Sequence, residues 1–266
     1  MLLSCVTQEH VQRVELIAHA GGEIDGYVYT NSLEALQQAT SRGYRFIELD
    51  LLLASDSVLV AAHSWEDFNR MTGNAQWGDS VLSSADFARQ RIHGRYTPLT
   101  APMIEKFFLE NEGLYLVTDK ISSPALLSKA FSRLKERMVV EAFSYPHYEQ
   151  LCNEGYYRVL YSCMAPDLSS ALVKNLLFDR LFPGKRIEWL ALHTSGLYYP
   201  SYKFMNKVRR FKVALFTLDN YNDVTPEQLQ RAGMIYTNTI VPCYCCEYDI
   251  TYRIFVIPTE RSDEGS

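Results

Sequence analysis

GYRFIELDLLLASDSVLVAAHS (43–64) is the stretch on which the fold turns. RFIELDLLL (45–53) reads as a buried strand, and VLVAAH (58–63) as a second one. Only ASDS (54–57) separates them. A parallel crossover needs roughly a dozen residues or more, so this turn forces an antiparallel hairpin. With the turn centred between Ser55 and Asp56, Leu53 faces Val58, Asp50 faces Ala61 and Glu48 faces His63. That register lands His63 beside two carboxylates.

Outward from the hairpin, short apolar runs alternate with amphipathic stretches. VELIA (14–18), LYLVTD (114–119), MVVEAF (138–143), YYRVLY (156–161), IEWLAL (187–192), KVALFT (212–217) and MIYT (234–237) are strand candidates. Helical periodicity marks SLEALQQATSRG (32–43), PMIEKFFLENEG (102–113) and SPALLSKAFSRLKER (123–137), the last with Leu126, Leu127, Ala130, Phe131 and Leu134 on one face. Further helical or mixed segments are expected near 145–154, 167–181, 198–209 and 225–232. Setting the hairpin's return strand aside leaves eight βα units, the number that closes a (β/α)8 TIM barrel in the α/β class, with the hairpin at its C-terminal mouth after strand two. The alternative is a doubly wound open sheet, which calls for a Gly-rich phosphate turn after strand one. HAGGEIDG (19–26) lacks that G-x-G-x-x-G spacing, so the barrel is favoured.

The chain has 266 residues and a formal net charge of -5, without a Lys/Arg block. It is long enough for a substantial core and is expected to form a single domain over 1–266. A mildly acidic chain is a poor binder of nucleic acid by counterion release. No apolar run approaches the roughly 18–20 residues of a transmembrane segment. MLLSCVTQEHVQRVE (1–15) has no basic region and does not read as a signal peptide. Six unevenly spaced cysteines make no secreted disulfide framework, so a cytoplasmic location is expected. Within PCYCC (242–246), Cys243, Cys245 and Cys246 have no nearby fourth zinc ligand and read as free thiols. Residues 243–266 form a tail to which no role is assigned.

Barrel chemistry collects at the C-terminal ends of the strands. Strand one ends in His19. Glu48 and Asp50, two apart, point the same way, and two such carboxylates are costly to bury unless a cation joins them. Oxygen ligands suit Mg²⁺ or Ca²⁺. Strand three ends in Asp119 and Lys120. A phosphodiester needs its charge neutralised, one proton removed and one delivered. A metal ion supplies the first and two near-neutral histidines the others, while Lys120 could hold a phosphate oxygen.

These residues resemble the glycerophosphodiester phosphodiesterase family. IAHAGG (17–22) is similar to its His-Arg-Gly element and TNSLEAL (30–36) to its Glu-Asn-Thr element. Residues 43–64 follow its Glu-x-Asp strand and His-Asp after a short turn. LYLVTDKI (114–121), VVEAFS (139–144), ALFTLDN (214–220) and IYTNTIVP (235–242) resemble the later elements in order. The resemblance implies a TIM barrel, a divalent metal and hydrolysis of a small glycerol-containing phosphodiester. It carries the catalytic histidines to His19 and His63, and the metal-binding pair to Glu48 and Asp50.

The departures are specific. Ala20 stands for the arginine, Thr30 for the Glu of Glu-Asn-Thr, Ser64 for the Asp of His-Asp, and Asn238 for the Asp of the final Thr-Asp. Aligning Lys120 with the family lysine puts Thr118 where a Glu belongs, so Asp119 enters the site as a third ligand only if the strand bulges or ends there. A related group of phospholipase D-type toxins has the same barrel, two histidines and a Glu/Asp/Asp metal site without the arginine. Ala20 and Thr30 favour a catalytically silent barrel that binds a phosphate-containing ligand or partner. The two histidines and Glu-x-Asp favour the enzyme. A metal hydrolase of the amidohydrolase type would need an H-x-H pair on strand one, which is missing. Glu141 and His193 are further candidates for the mouth. The insertion at 65–100, with Trp65, Phe68, Trp77 and Tyr96, is expected to wall the substrate cleft. His10, His93 and His147 read as surface or loop residues.

Overall fold

The computed structural model describes residues 14–162, 187–198, 203, 211–220, 232–240 and 242. The segment 1–13, the tail from 243 with its three cysteines, and most of the segments near 167–181, 198–209 and 225–232 lie outside the described residues. The strands are β1 (Glu15–Ala18), β2 (Phe46–Leu53), β3 (Leu59–Ala61), β4 (Tyr115–Asp119), β5 (Met138–Ala142), β6 (Val159–Ser162), β7 (Trp189–His193), β8 (Lys212–Phe216) and β9 (Ala232–Thr237). All except β3 pair in parallel, and β1 bonds to both β2 and β9. That closes an eight-stranded parallel barrel with helices between strands, the (β/α)8 TIM barrel that the strand count predicts. No described helix is long and apolar enough to cross a membrane.

Alternation along the strands builds two apolar layers. Ile17, Phe46, Val117, Val139, Leu160, Ala191, Ala214, Met234 and Tyr236 cluster inside the barrel. The intervening residues, among them Ile47, Leu49, Leu116, Val140, Leu190 and Leu215, pack outward with Leu36, Ile104, Phe108, Leu127 and Leu151 of the helices. Because side chains at i and i+2 share a face, each inward residue carries another above it. Glu48 and Asp50 follow Phe46, Asp119 follows Val117, and Glu141 follows Val139. His193 follows Ala191 in the same way. The apolar plug therefore becomes a polar mouth at the strands' C-terminal ends.

The helices start where local chemistry sets them. Ser32 caps α1 (Leu33–Ser41) by accepting from the Ala35 N–H, and Ser64 caps α2 (Trp65–Met71) by accepting from the Asp67 N–H. In the insertion, α3 (Ser84–Arg89) follows Ser83 in the same manner. Pro102 sits in the first turn of α4 (Ala101–Glu110), and Pro124 opens α5 (Pro124–Ala130). The helix α6 spans Tyr145–Asn153.

Two sequence expectations are corrected here. The hairpin pairs Leu53 with Leu59 and Leu51 with Ala61, one residue away from the expected Leu53–Val58 and Asp50–Ala61. Ala54 N–H bonds Val58 O at 2.9 Å, and Ser57 takes a left-handed φ of 62°. A three-residue turn replaces a two-residue one, so His63 is not the cross-strand partner of Glu48. The helix expected over 123–137 stops at Ala130, where Phe131 leaves helical geometry with φ -135° and ψ 40°. Phe131 and Leu134 are nonetheless fully buried; the broken chain meets the same apolar demand as a continued helix.

Candidate active site

Glu48 and Asp50 rise from β2 and Asp119 from the end of β4. Asp50 and Asp119 are direct register partners, so Asp119 faces inward from a regular ladder with no bulge, and it is Thr118 that turns outward. Lys120 then ends the strand with a left-handed φ of 67°, and its Nζ lies 3.4 Å from Asp50 Oδ1. One ligand oxygen from each of Glu48, Asp50 and Asp119 falls within 4.8 Å of the others.

Three charges this close repel strongly. At an effective dielectric constant of about 20, each pair at that separation costs about 3 kcal/mol. Three pairs rival the roughly 5–15 kcal/mol that holds a domain folded. Lys120 offsets only part of this. Burial, reinforced by the charges of Asp50 and Asp119, pushes the Glu48 carboxyl well above the usual carboxylate range. Burial and then Asp50 also raise Asp119. Glu48 Oε2 accepts the Ala20 N–H at 2.7 Å, but Glu48 Oε1 is buried with no hydrogen-bond partner. An acidic triad with an unpartnered buried oxygen has the oxygen-donor chemistry that a hard divalent cation accepts.

Asp50 is fixed from a second side. Asn31 Nδ2 donates to Asp50 Oδ2 at 3.0 Å, while Asn31 Oδ1 accepts the Asp50 N–H at 3.0 Å. Thr30, in the position where the resemblance implies a Glu, pairs its hydroxyl with that of Ser32 at 3.1 Å.

The two histidines approach from different elements. His19 follows β1, with Nε2 3.9 Å from Glu48 Oε2 and Nδ1 3.4 Å from Thr217 Oγ1. Burial lowers its pKa, against the opposing pull of Asp50 and Asp219. Asp219 accepts from the Asn238 N–H at 2.6 Å and from Asn238 Nδ2 at 2.8 Å. His63 leads into α2, and its Nδ1 lies 2.8 Å from Asp67 Oδ2. Hydrogen bonds from His63 and Ser64 hold Asp67 at about 2, so its carboxylate is ionised and the His63 Nδ1–H donates to it. That leaves Nε2 as the His63 atom able to exchange a proton. Tyr29 packs against both histidines, 4.8 Å from the His19 ring centroid and 5.0 Å from that of His63.

Three other sequence candidates have partners of their own. Glu141 is buried inside the barrel, where the Tyr236 hydroxyl donates to its Oε1 and the Ser162 side chain also hydrogen-bonds it; its hydrogen-bond partners are neutral hydroxyls. His193 is exposed at the end of β7 and pairs Nδ1 with Ser195 Oγ at 2.8 Å. Trp65 packs edge-on against Phe68 and Phe87. The aromatic insertion is corrected in part: Phe68 is fully buried and stacked on Phe87 at 4.1 Å, and Tyr96 is buried with its hydroxyl on Asp25. With Val60, Ala62 and Ile92 they form a small core of their own, so Phe68 and Tyr96 do not wall a cleft.

Sequence reasoning missed Tyr29, Asp67 and Asp219. Asp67 was findable, because Ser64-x-x-Asp67 reads as a helix cap and His63 lies four residues before Asp67. Nothing in the sequence singles out Tyr29 among 18 tyrosines.

A parallel barrel with an acidic triad and two histidines at its mouth places groups suited to acid–base chemistry where TIM-barrel enzymes carry their sites. The sequence matches the Glycerophosphoryl diester phosphodiesterase family over residues 20–177, and the chain belongs to that family. It is thus a phosphoric diester hydrolase by membership. Among solved structures it is similar to a glycerophosphodiester phosphodiesterase from Thermotoga maritima, at 16% identity and TM-score 0.64 over 86% of this chain and 96% of that one. It is also similar to a phosphodiesterase from Oleispira antarctica in complex with the product sn-glycerol-3-phosphate, at 18% identity and TM-score 0.62 over 84% and 92%. A third, a glycerophosphodiester phosphodiesterase from Parabacteroides distasonis, aligns at 18% identity and TM-score 0.60 over 85% and 92%. At such identities these structures speak for the fold alone. No curated protein matches the chain in sequence.

Proposed function

We propose that this chain hydrolyses a glycerophosphodiester, with Glu48, Asp50 and Asp119 holding a divalent cation and with His19 and His63 exchanging the protons. The observation that carries this reading is the buried, unpartnered Glu48 Oε1 in a triad of carboxylates beside two histidines. When bound, Mg²⁺ or Ca²⁺ supplies positive charge against the phosphoryl oxygens. Asn31 keeps Asp50 turned toward the triad, and the Ala20 N–H does the same for Glu48. Lys120 remains close enough to hold a further phosphate oxygen.

A water oxygen forms the new bond to phosphorus as the bond to the leaving alcohol breaks. One histidine takes the water's proton and the other gives its proton to the departing alkoxide, so the charges balance across the step. Asp67 commits the His63 Nδ1–H and restricts its exchange to Nε2. The product complex of the Oleispira antarctica relative supports a glycerol phosphate as the part retained here.

A second reading, a silent barrel that binds a phosphate-containing ligand, is favoured by Ala20 and Thr30, which bring neither a guanidinium nor a carboxylate to the site. The two are separated by incubating the protein with a panel of phosphodiesters in Mg²⁺, Ca²⁺ or EDTA, with His63→Ala as control. Turnover that needs the ion and His63 supports the hydrolase. Turnover that survives both EDTA and the substitution sinks the mechanism, and metal binding without turnover of any diester favours the silent barrel.

A further inference from the structure

We propose that Tyr29 is a substrate-contacting residue, its ring forming one wall of the phosphoryl site and its hydroxyl donating to a phosphate oxygen. The proposal rests on the diesterase reading above. The Tyr29 ring stands edge-on to both histidines, at interplanar angles of 77° to His19 and 63° to His63. A phosphorus atom attacked on one side and released on the other lies between the two groups that exchange the protons. A ring that touches both groups borders that place.

The backbone supports a functional reason for this position. Tyr29 has a φ of 59°, a left-handed conformation that a bulky residue rarely adopts. Such strain collects at functional sites, where the surroundings hold it. Here the holder is two residues on: Asn31, also left-handed at φ 48°, is clamped to Asp50 by two hydrogen bonds. Ala20 and Lys120 share the same left-handed geometry. Four strained residues thus surround the acidic triad, and each of the other three makes a contact to Glu48 or Asp50. Tyr29 makes none, and no described residue takes its hydroxyl's hydrogen bond.

The hydroxyl suits a phosphate oxygen. Burial, followed by the charges of Asp50 and Glu48, pushes the phenol further up from 10, so it keeps its proton and stays a donor at neutral pH. Ala20 leaves the phosphate without the guanidinium that the family resemblance implies. Lys120, paired with Asp50, supplies one cation to the phosphate. A neutral donor beside both histidines fills the gap without adding a second cation next to the metal ligands.

The test is Tyr29→Phe, which removes only the donor, beside Tyr29→Ala, which removes the wall as well. With a glycerophosphodiester and Mg²⁺, kcat/KM of Tyr29→Phe is expected to fall about 10- to 100-fold, the worth of a hydrogen bond to a charged group. Tyr29→Ala should fall further. Mg²⁺ affinity by calorimetry should stay within about twofold of the parent, since Tyr29 is not a ligand. Wild-type kcat/KM in Tyr29→Phe overturns the donor, and equal losses in the two variants overturn the wall. If the parent protein turns over no diester, it is the diesterase reading that has failed. The donor is then judged by binding of inorganic phosphate to the Mg²⁺-loaded protein: about tenfold weaker binding in Tyr29→Phe supports it, and equal binding overturns it.

Discussion

Replacing Glu141 by Gln should make the protein more stable in alkaline solution and leave it unchanged in acid. Glu141 sits inside the barrel on β5, hydrogen-bonded by the Tyr236 hydroxyl. Burial, then the charge of Asp119, raises its pKa from 4.5 to about 8, against the opposing hydrogen bonds of Tyr236 and Ser162. Between those two values the folded chain keeps a proton that the unfolded chain has lost. The unfolded state then binds fewer protons, so stability falls as pH rises. The contribution is whole below about 4.5 and is lost as pH climbs through about 8. At about 1.4 kcal/mol per pH unit, that interval is worth about 5 kcal/mol. Gln keeps the shape and an oxygen for the Tyr236 hydroxyl but does not titrate. Urea unfolding of both proteins at pH 5 and pH 8.5, in EDTA to keep cations off the neighbouring carboxylates, reads the difference directly. Near-equal stability at pH 5 and an advantage of several kcal/mol for Glu141→Gln at pH 8.5 is the expected result. Curves that stay parallel across the range would refute the buried, protonated Glu141.

Asn31→Ala strips partners from both the carboxylate and the N–H of buried Asp50, and should cost about 3 kcal/mol by urea unfolding. Asp67→Asn removes the charged partner that orients His63; kcat/KM should drop about tenfold or more while Mg²⁺ affinity measured by calorimetry holds. Phe68→Ala empties the centre of the insertion's small core, and a loss of about 3–5 kcal/mol by urea unfolding is expected.

The barrel was legible because two of its signals are topological. Four residues between two apolar runs admit only a hairpin, and the remaining strands then number eight. Glu48 and Asp50 were legible for a similar reason, since a spacing of two fixes a shared face. Register was harder. Whether ASDS closes a two- or a three-residue turn depends on Ser57 accepting a left-handed φ, and no composition rule forces a serine to do so. Asp119 was obscured by Lys120: aligning the lysine assumes an extended backbone there, whereas its left-handed turn shifts the count by one. In the insertion, aromatic content alone could not separate a cleft wall from a local core. Phe68 and Phe87 stack on each other because the insertion needs a centre of its own. Tyr29 and Asp219 reach the site through loops, whose course periodicity does not encode.

The central claim is that the acidic triad and the two histidines together hydrolyse a phosphodiester with the help of a divalent ion. Phosphorus NMR of a glycerophosphodiester incubated with the protein and Mg²⁺ tests it most directly. The diester resonance is expected to give way to a phosphomonoester resonance. EDTA, Glu48→Gln and His19→Ala should each abolish the change. A diester signal that persists with Mg²⁺ and with Ca²⁺, or a conversion indifferent to EDTA and to both substitutions, would contradict it.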